Sequence, residues 1–112
     1  MKDHDHKNEP DSTFALRTMH FLNASRVLNG SETKVFLNIF VLSNAHGVES
    51  IIVSLEQLMF LTDLSEGAVR RALHGLECRG LIYHSPHTNR MARAWTVDYG
   101  RLAELGAVIH AS

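Results

Sequence analysis

Two short helices separated by a polar turn are the feature of this sequence that most restricts its fold. Ser54 and Gln57 have the spacing of a capping box, in which each side chain bonds the other residue's backbone amide at a helix start. The buried side of a short helix would then consist of Leu55, Leu58, Met59 and Leu61. Thr62-Asp63-Leu64 is too polar and too short to be anything but a turn, so a second helix should begin almost at once.

That second helix is predicted to begin at Ser65 and to stop at Gly80. Serine is a good N-cap residue, and glycine commonly occupies the position just after a helix. The apolar face of this helix consists of Val69, Ala72, Leu73 and Leu76. Arg70 and Arg71 project away from that face, so the helix should be anchored on one side and carry two guanidinium groups on the other.

A longer helix is predicted before this pair. Gly30 can close the preceding element, and Ser31 can cap a helix that opens with Glu32 and ends before Gly47. Its main stripe consists of Val35, Phe36, Ile39, Phe40 and Leu42, with Leu37 and Val41 on another face. The alternation of apolar residues also fits a strand, but the length and the cap favour a helix. The earlier segment Phe14–Leu22 fits a helix only loosely, and no role is assigned to it.

Three short strands and a last helix complete the predicted order. Glu49–Val53 is β-branched and short, and Leu81–Tyr83 and Met91–Val97 are expected to form a hairpin through the turn formers Pro86–Asn89. Trp95 should close the core beneath this hairpin. Asp98 can cap a final helix, whose apolar stripe consists of Leu102, Leu105, Val108 and Ile109.

Composition limits the classes of function. The 112 residues are 45% hydrophobic with a formal net charge of −1, which suits one domain over residues 12–112 and argues against coating of nucleic acid or membranes by bulk positive charge. Residues 1–11 are almost all polar and are expected to form a disordered tail. With one cysteine and no apolar leader, a cytoplasmic location is expected, nucleoid-associated when bound to DNA.

The sequence also lacks the usual marks of catalysis. There is no glycine-rich phosphate loop, nucleophile elbow or zinc-protease pattern, so we expect no enzyme and no cofactor. The eight histidines include two close pairs, His4 with His6 and His84 with His87, but neither has a further ligand at a familiar spacing, so no metal site is predicted. Cys78, late in a packed helix, should act as a small apolar residue.

The segment Leu64–Ile82, read as LSEGAVRRALHGLECRGLI, resembles the recognition-helix region of winged helix-turn-helix regulators of the GntR and MarR type. The resemblance extends over residues 31–97, and the predicted order of elements is that of this fold. It implies a mainly α structure with a small β-hairpin wing. Two departures are Asp63, where such turns often carry glycine, and a wing tip with few cations; aspartate tolerates a left-handed backbone better than most residues.

The resemblance implies that the start of the second short helix enters the major groove of duplex DNA and that the wing lies on the backbone or minor groove. The candidate contacts on the helix are Ser65, Glu66, Gly67, Arg70, Arg71 and His74. Those on the wing are Thr88, Asn89, Arg90 and Arg93. From Ser65 to Arg93 there are five arginines and two glutamates, although Arg79 is expected to interact with its own helix dipole.

These features predict a sequence-specific transcription regulator, a repressor that acts as a homodimer through the terminal stripe of Leu102, Leu105, Val108 and Ile109. The flanking glycines Gly100 and Gly106 weaken that helix, and the stripe can instead fold back on its own domain. Two other interpretations stay open, namely a plasmid or phage replication or maintenance factor and a winged helix used as a protein-interaction module. The near-neutral net charge is the best argument for the last of these.

Overall fold

The computed structural model describes residues 12–85 and 92–111. Within these ranges the chain is mainly helical, with five α-helices, one 3₁₀ turn and a small antiparallel sheet. The elements are α1 (Ser12–Ala24), the 3₁₀ turn (Ser25–Val27), α2 (Gly30–Ala45), β1 (Ser50–Ser54), α3 (Leu55–Thr62), α4 (Glu66–Cys78), β2 (Ile82–His84), β3 (Ala92–Val97) and α5 (Tyr99–Ala111). The predicted tail and the predicted turn Pro86–Asn89 lie outside the described residues.

The predicted caps of α3 and α4 are confirmed. The Ser54 hydroxyl accepts from the Gln57 amide at 3.0 Å, and the Gln57 side chain accepts from the Ser54 amide at 2.8 Å. Between the two helices Asp63 has a left-handed backbone, with φ at 59°, and its amide donates to the Met59 carbonyl. The Ser65 hydroxyl then accepts from the Ala68 amide at 3.2 Å, so α4 follows α3 after a turn that an aspartate can form.

The predicted start of α2 at Ser31 is wrong. Asn29 is the N-cap, and its side chain accepts from the Glu32 amide at 2.8 Å while Glu32 Oε1 accepts from the Asn29 amide at 3.0 Å. Gly30 is therefore the first helical residue and does not close the element before it. A cap at Ser31 would place Lys34 at the third helical position, where an ammonium group cannot accept the return hydrogen bond.

Glu32 is buried between α2 and α4, with only 5% of its surface exposed. Its Oε1 accepts from Arg79 Nη2 at 3.3 Å, at the C-terminal end of α4. A methyl group at Gly75 would overlap the Glu32 carboxylate, so glycine is needed where α4 crosses this side chain. The buried carboxylate thus joins the start of α2 to the end of α4.

The strand order of the sheet is β1-β3-β2, with both pairs antiparallel. Ile51 lies opposite Trp95 on one side, and Tyr83 lies opposite Thr96 on the other. Trp95 is only 3% exposed, which confirms its predicted place in the core. All three strand assignments are confirmed to within one residue at each end of the described ranges.

The loosely patterned segment near the N-terminus is helix α1, which packs along α5. Phe21 of α1 stacks on Phe40 of α2 with ring centroids 5.1 Å apart, and Phe40 in turn meets Tyr99 of α5 at 6.2 Å. The Arg17 guanidinium lies 3.6 Å above the Tyr99 ring. At Gly106 the helices are so close that an added Cβ would lie 3.0 Å from the His20 carbonyl oxygen.

The buried Glu32 carboxylate yields a stability prediction. Glu32→Ala should lower the free energy of unfolding by about 2 kcal/mol, because it removes half of the capping box and leaves the Arg79 guanidinium without its partner. Glu32→Gln should cost only about 1 kcal/mol, since glutamine also completes a capping box. Denaturant unfolding measures both changes.

The matched control is Glu56→Ala, which removes an exposed first-turn glutamate of α3. Its effect should stay within about 0.5 kcal/mol. Equal losses for Glu32→Ala and Glu56→Ala would contradict the importance assigned to the buried carboxylate.

Candidate nucleic-acid interface

Helix α4 buries one face and exposes the other, as predicted. Val69 and Leu76 have no exposed surface, and Ala72 and Leu73 are also buried in the core. Arg70 and Arg71 lie on the solvent side, and both are exposed. Within the described part of the chain, the arginine pair is therefore accessible to a large ligand.

Both guanidinium groups lean toward the N-terminal end of α4, the direction in which helical side chains point. Arg70 Nε donates to Glu66 Oε2 at 3.0 Å, one turn back along the helix. Arg71 Nη1 lies 3.2 Å from the position a Cβ would take on Gly67. The missing side chain at Gly67 leaves room for Arg71, so the first two turns of α4 carry two cations side by side.

The other predicted helix residues lie on the same side of α4. Ser65, Glu66, Gly67 and His74 are all exposed. The Ser65 hydroxyl oxygen accepts the capping bond, which leaves its proton available to donate to a phosphate. His74 Nε2 lies 3.5 Å from Cys78 Sγ. Cys78 is exposed, so its predicted role as a packed apolar residue is wrong: α4 turns that position away from the core.

Of the four predicted wing residues, only Arg93 lies within the described ranges; Thr88, Asn89 and Arg90 lie outside them. Arg93 is exposed near the start of β3, opposite Val53 of β1. It shares a face of β3 with Trp95 and Val97, which are buried. Arg93 therefore lies on the core-facing side of β3, but near the N-terminal end of the strand, where that side is exposed to solvent.

A contact that sequence reasoning missed joins β2 to α4. His84 Nδ1 lies 2.7 Å from Glu77 Oε2, and the His84 ring meets the Trp95 ring edge-on, with centroids 5.3 Å apart. These residues come from three different elements, and no spacing in the sequence connects them. The C-terminal end of β2 is therefore attached to the arginine-bearing helix through side chains.

Arg79 does not add to the exposed positive charge. It pairs with Glu32, and within the described chain its buried Nε has no hydrogen-bond partner. Arg79 is the C-cap residue of α4, and in addition to its predicted interaction with the helix dipole it forms this ion pair to another helix. Since Glu66 also neutralises Arg70, the count of arginines in this region overstates its charge, and Arg71 and Arg93 are the described cations there without an ion pair among the described residues.

The terminal stripe is used within the chain as far as it is described. Leu102 is completely buried and Leu105 packs partly on the core, whereas the side chains of Val108 and Ile109 lie outside the described part. Leu102 as an interface residue is thus wrong, because α1 and the core already cover it. The exposed apolar surface lies on the outer side of α1, at Leu16, Met19 and Leu22.

A second apolar surface lies beside β1 and α3. Phe60 and Ile52 are 86% and 76% exposed, and with Leu42 and Leu61 they line an open groove of about 520 Å³. Sequence analysis placed no site here. The predicted place of Leu61 on the buried side of α3 is wrong, because Leu61 is 47% exposed. The run of apolar residues in α3 does not by itself tell which of them face solvent.

The part of the chain that the structure describes holds neither a metal-ligand cluster nor a membrane-spanning helix. No three histidine, cysteine or carboxylate side chains there are grouped as metal ligands would be. None of the described helices has the length and apolar character needed to cross a bilayer.

A scan against protein-family models, a search of curated proteins and a search of solved structures found no match to this chain.

Proposed function

We propose that this chain is a winged helix-turn-helix protein that binds duplex DNA at specific sequences and regulates transcription in the cytoplasm, as a homodimeric repressor. The observation that carries the proposal is the exposed arginine pair on α4, a helix held by its apolar face and preceded by the tight turn at Asp63. In this proposal α3 and α4 are the helix-turn-helix, α4 is the recognition helix, and β2 with β3 form the wing.

The charge distribution supports local contact with DNA over bulk attraction. The whole chain has a formal net charge of −1, yet Arg70, Arg71 and Arg93 are exposed on α4 and the neighbouring sheet. Arginine can bond a guanine edge or a phosphate through two nitrogens. The sheet order β1-β3-β2 also supports the proposal, because it leaves the β2–β3 pair at one edge, next to the end of α4.

The outer face of α1 supports the homodimer. Leu16, Met19 and Leu22 are exposed at helical spacing, while Arg17 points inward to Tyr99 and Asn44. A second copy can therefore meet this face across a two-fold axis without like-charge repulsion from Arg17. Two copies would add their base contacts and read a palindromic site.

The arginine pair predicts the behaviour of a double variant. A duplex is first selected from a random pool with the wild-type chain, and its affinity is measured by fluorescence anisotropy. Arg70→Ala with Arg71→Ala should raise the Kd at least about tenfold, because each base contact by an arginine contributes about 1 to 3 kcal/mol. Wild-type affinity should fall steeply with added salt, since binding releases counterions.

The control for charge alone is Arg26→Ala with Lys34→Ala, which removes two exposed cations from the turn after α1 and from α2. If both double variants weaken binding equally, the arginine pair is not the DNA-contacting surface. A wild-type chain that selects no duplex would overturn the proposed function itself.

The α1 face predicts an effect of Met19→Glu. The wild-type chain should have twice the chain mass of 12.6 kDa in solution, and the variant should be a monomer, because the new charge would be buried against its own copy. Light scattering with size exclusion measures both. The matched control is Val48→Glu, at another exposed apolar position, between α2 and β1. A monomeric wild-type chain, or a Met19→Glu dimer, would reject this interface.

The exposed groove favours a second candidate, a winged helix that serves as a protein-interaction module. Phe60, Ile52 and Leu61 form an apolar surface of the kind that partner proteins cover. A module of this kind has no need of the arginine pair and should ignore duplex DNA.

The two candidates predict different masses in the presence of duplex DNA, for the wild-type chain and for Phe60→Ser. For the DNA-binding protein, the mass should rise when the selected duplex is added, and Phe60→Ser should leave the Kd within about twofold, since groove and arginines are separate surfaces. For the interaction module, neither chain should change mass with duplex. Light scattering with and without DNA measures the mass, and fluorescence anisotropy measures the Kd.

A further inference from the structure

The ion pair between Glu66 and Arg70 determines which atoms of Arg70 remain available. Glu66 Oε2 accepts from Arg70 Nε at 3.0 Å, and both side chains are exposed. An exposed pair of this kind adds little to helix stability, so its main physical effect is on the position of the guanidinium. With Nε bonded, the two terminal nitrogens, Nη1 and Nη2, have no other bonded partner among the described residues.

The remaining donors match a base edge. Guanine presents two acceptors, O6 and N7, side by side in the major groove, and two parallel N–H groups of arginine bond both at once. Fixing Nε to a carboxylate restricts rotation of the guanidinium plane and leaves Nη1 and Nη2 to donate to a ligand. Less conformational freedom is then lost when a guanine is bound.

The charge of the pair argues against a phosphate as its ligand. Glu66 and Arg70 together are neutral, and a carboxylate next to a phosphate repels it. A guanine edge is uncharged, so it is not repelled in this way. Arg71 is different: it has no ion pair among the described residues, and it lies over Gly67 at the helix start, where a full positive charge suits a phosphate.

We propose that Arg70 reads one guanine in the major groove, that Glu66 is the positioning residue that directs it, and that Arg71 contacts the phosphate backbone. This assignment rests on the proposed function, because it concerns the same surface. It gives the two adjacent arginines different tasks, which a count of charges does not distinguish.

The test compares the sequences that each variant selects from a random duplex pool, followed by anisotropy on the selected duplex and on copies with guanine replaced by adenine. The wild-type chain should prefer guanine at one position by about tenfold or more. Arg70→Ala should abolish the preference at that position and keep it elsewhere. Arg71→Ala should weaken all sequences alike and reduce the slope of log affinity against log salt by about 1.

Substitutions of Glu66 separate positioning from simple repulsion. Glu66→Gln keeps an acceptor for Arg70 Nε and should keep most of the guanine preference, whereas Glu66→Ala should lose it and steepen the salt slope by about 1, because the released arginine moves to a phosphate. Both variants lose the same charge, so a purely electrostatic role would make them behave alike. Glu56→Ala, an exposed glutamate of α3, is the control.

The outcomes are distinguishable. If the wild-type chain selects a duplex but Arg70→Ala keeps every base preference, or the two Glu66 variants discriminate bases equally, this inference is overturned and the proposed function stands. If the wild-type chain selects no duplex at all, the proposed function fails and the inference fails with it. Loss of guanine preference in Arg70→Ala and Glu66→Ala, with retention in Glu66→Gln, supports it.

Discussion

The buried carboxylate of Glu32 is the contact on which the placement of α4 depends. It completes the N-cap of α2 and, at the same time, holds the arginine that ends α4. Gly75 is the residue that lets α4 come this close. Because one carboxylate accepts from both the start of α2 and a cation at the end of α4, it couples two helices that would otherwise form independently. The angle at which α4 presents its outer face is therefore set at the C-terminal end of α4.

Helices α1 and α5 are held on α2 by apolar contacts rather than by an ion pair. The three helices meet through aromatic rings, from Phe21 to Phe40 to Tyr99. The burial of apolar area in these contacts is non-directional, so it tolerates small shifts better than an ion pair does. Helix α4 is therefore held by an ion pair, which gives its exposed surface a defined orientation. Helices α1 and α5 are held by apolar contacts and mainly supply buried area.

Local signals were enough to predict much of the fold. Capping boxes, the turn at Asp63 and the stop at Gly80 depend on residues close in sequence, so α3 and α4 could be located from their residues alone. The start of α2 was misplaced because Asn29 and Ser31 are both good caps, and only the reach of Glu32 decides between them. Helix α1 was obscure because it is apolar on two sides, toward Phe40 and toward solvent.

What the sequence could not supply is the set of long-range contacts around the candidate site. The pairing of β1 with β3 and the bond from Arg79 to Glu32 join residues far apart in the chain, and no periodicity encodes them. The exposed side of Arg70 and Arg71 was predictable from helix geometry, whereas the link from Arg70 to Glu66 needed coordinates to show which nitrogen is bonded.

The contact of His84 with Glu77 and Trp95 has a consequence for rigidity. A carboxylate only accepts, so the imidazole must donate from Nδ1, and its ring also makes a T-shaped contact with the Trp95 ring. This contact therefore restricts how the strand that carries His84 can rotate relative to the helix that carries Glu77. A bound surface that touches both elements would therefore meet them at a separation that this contact limits, and more of the adjustment of shape on binding would fall to that surface.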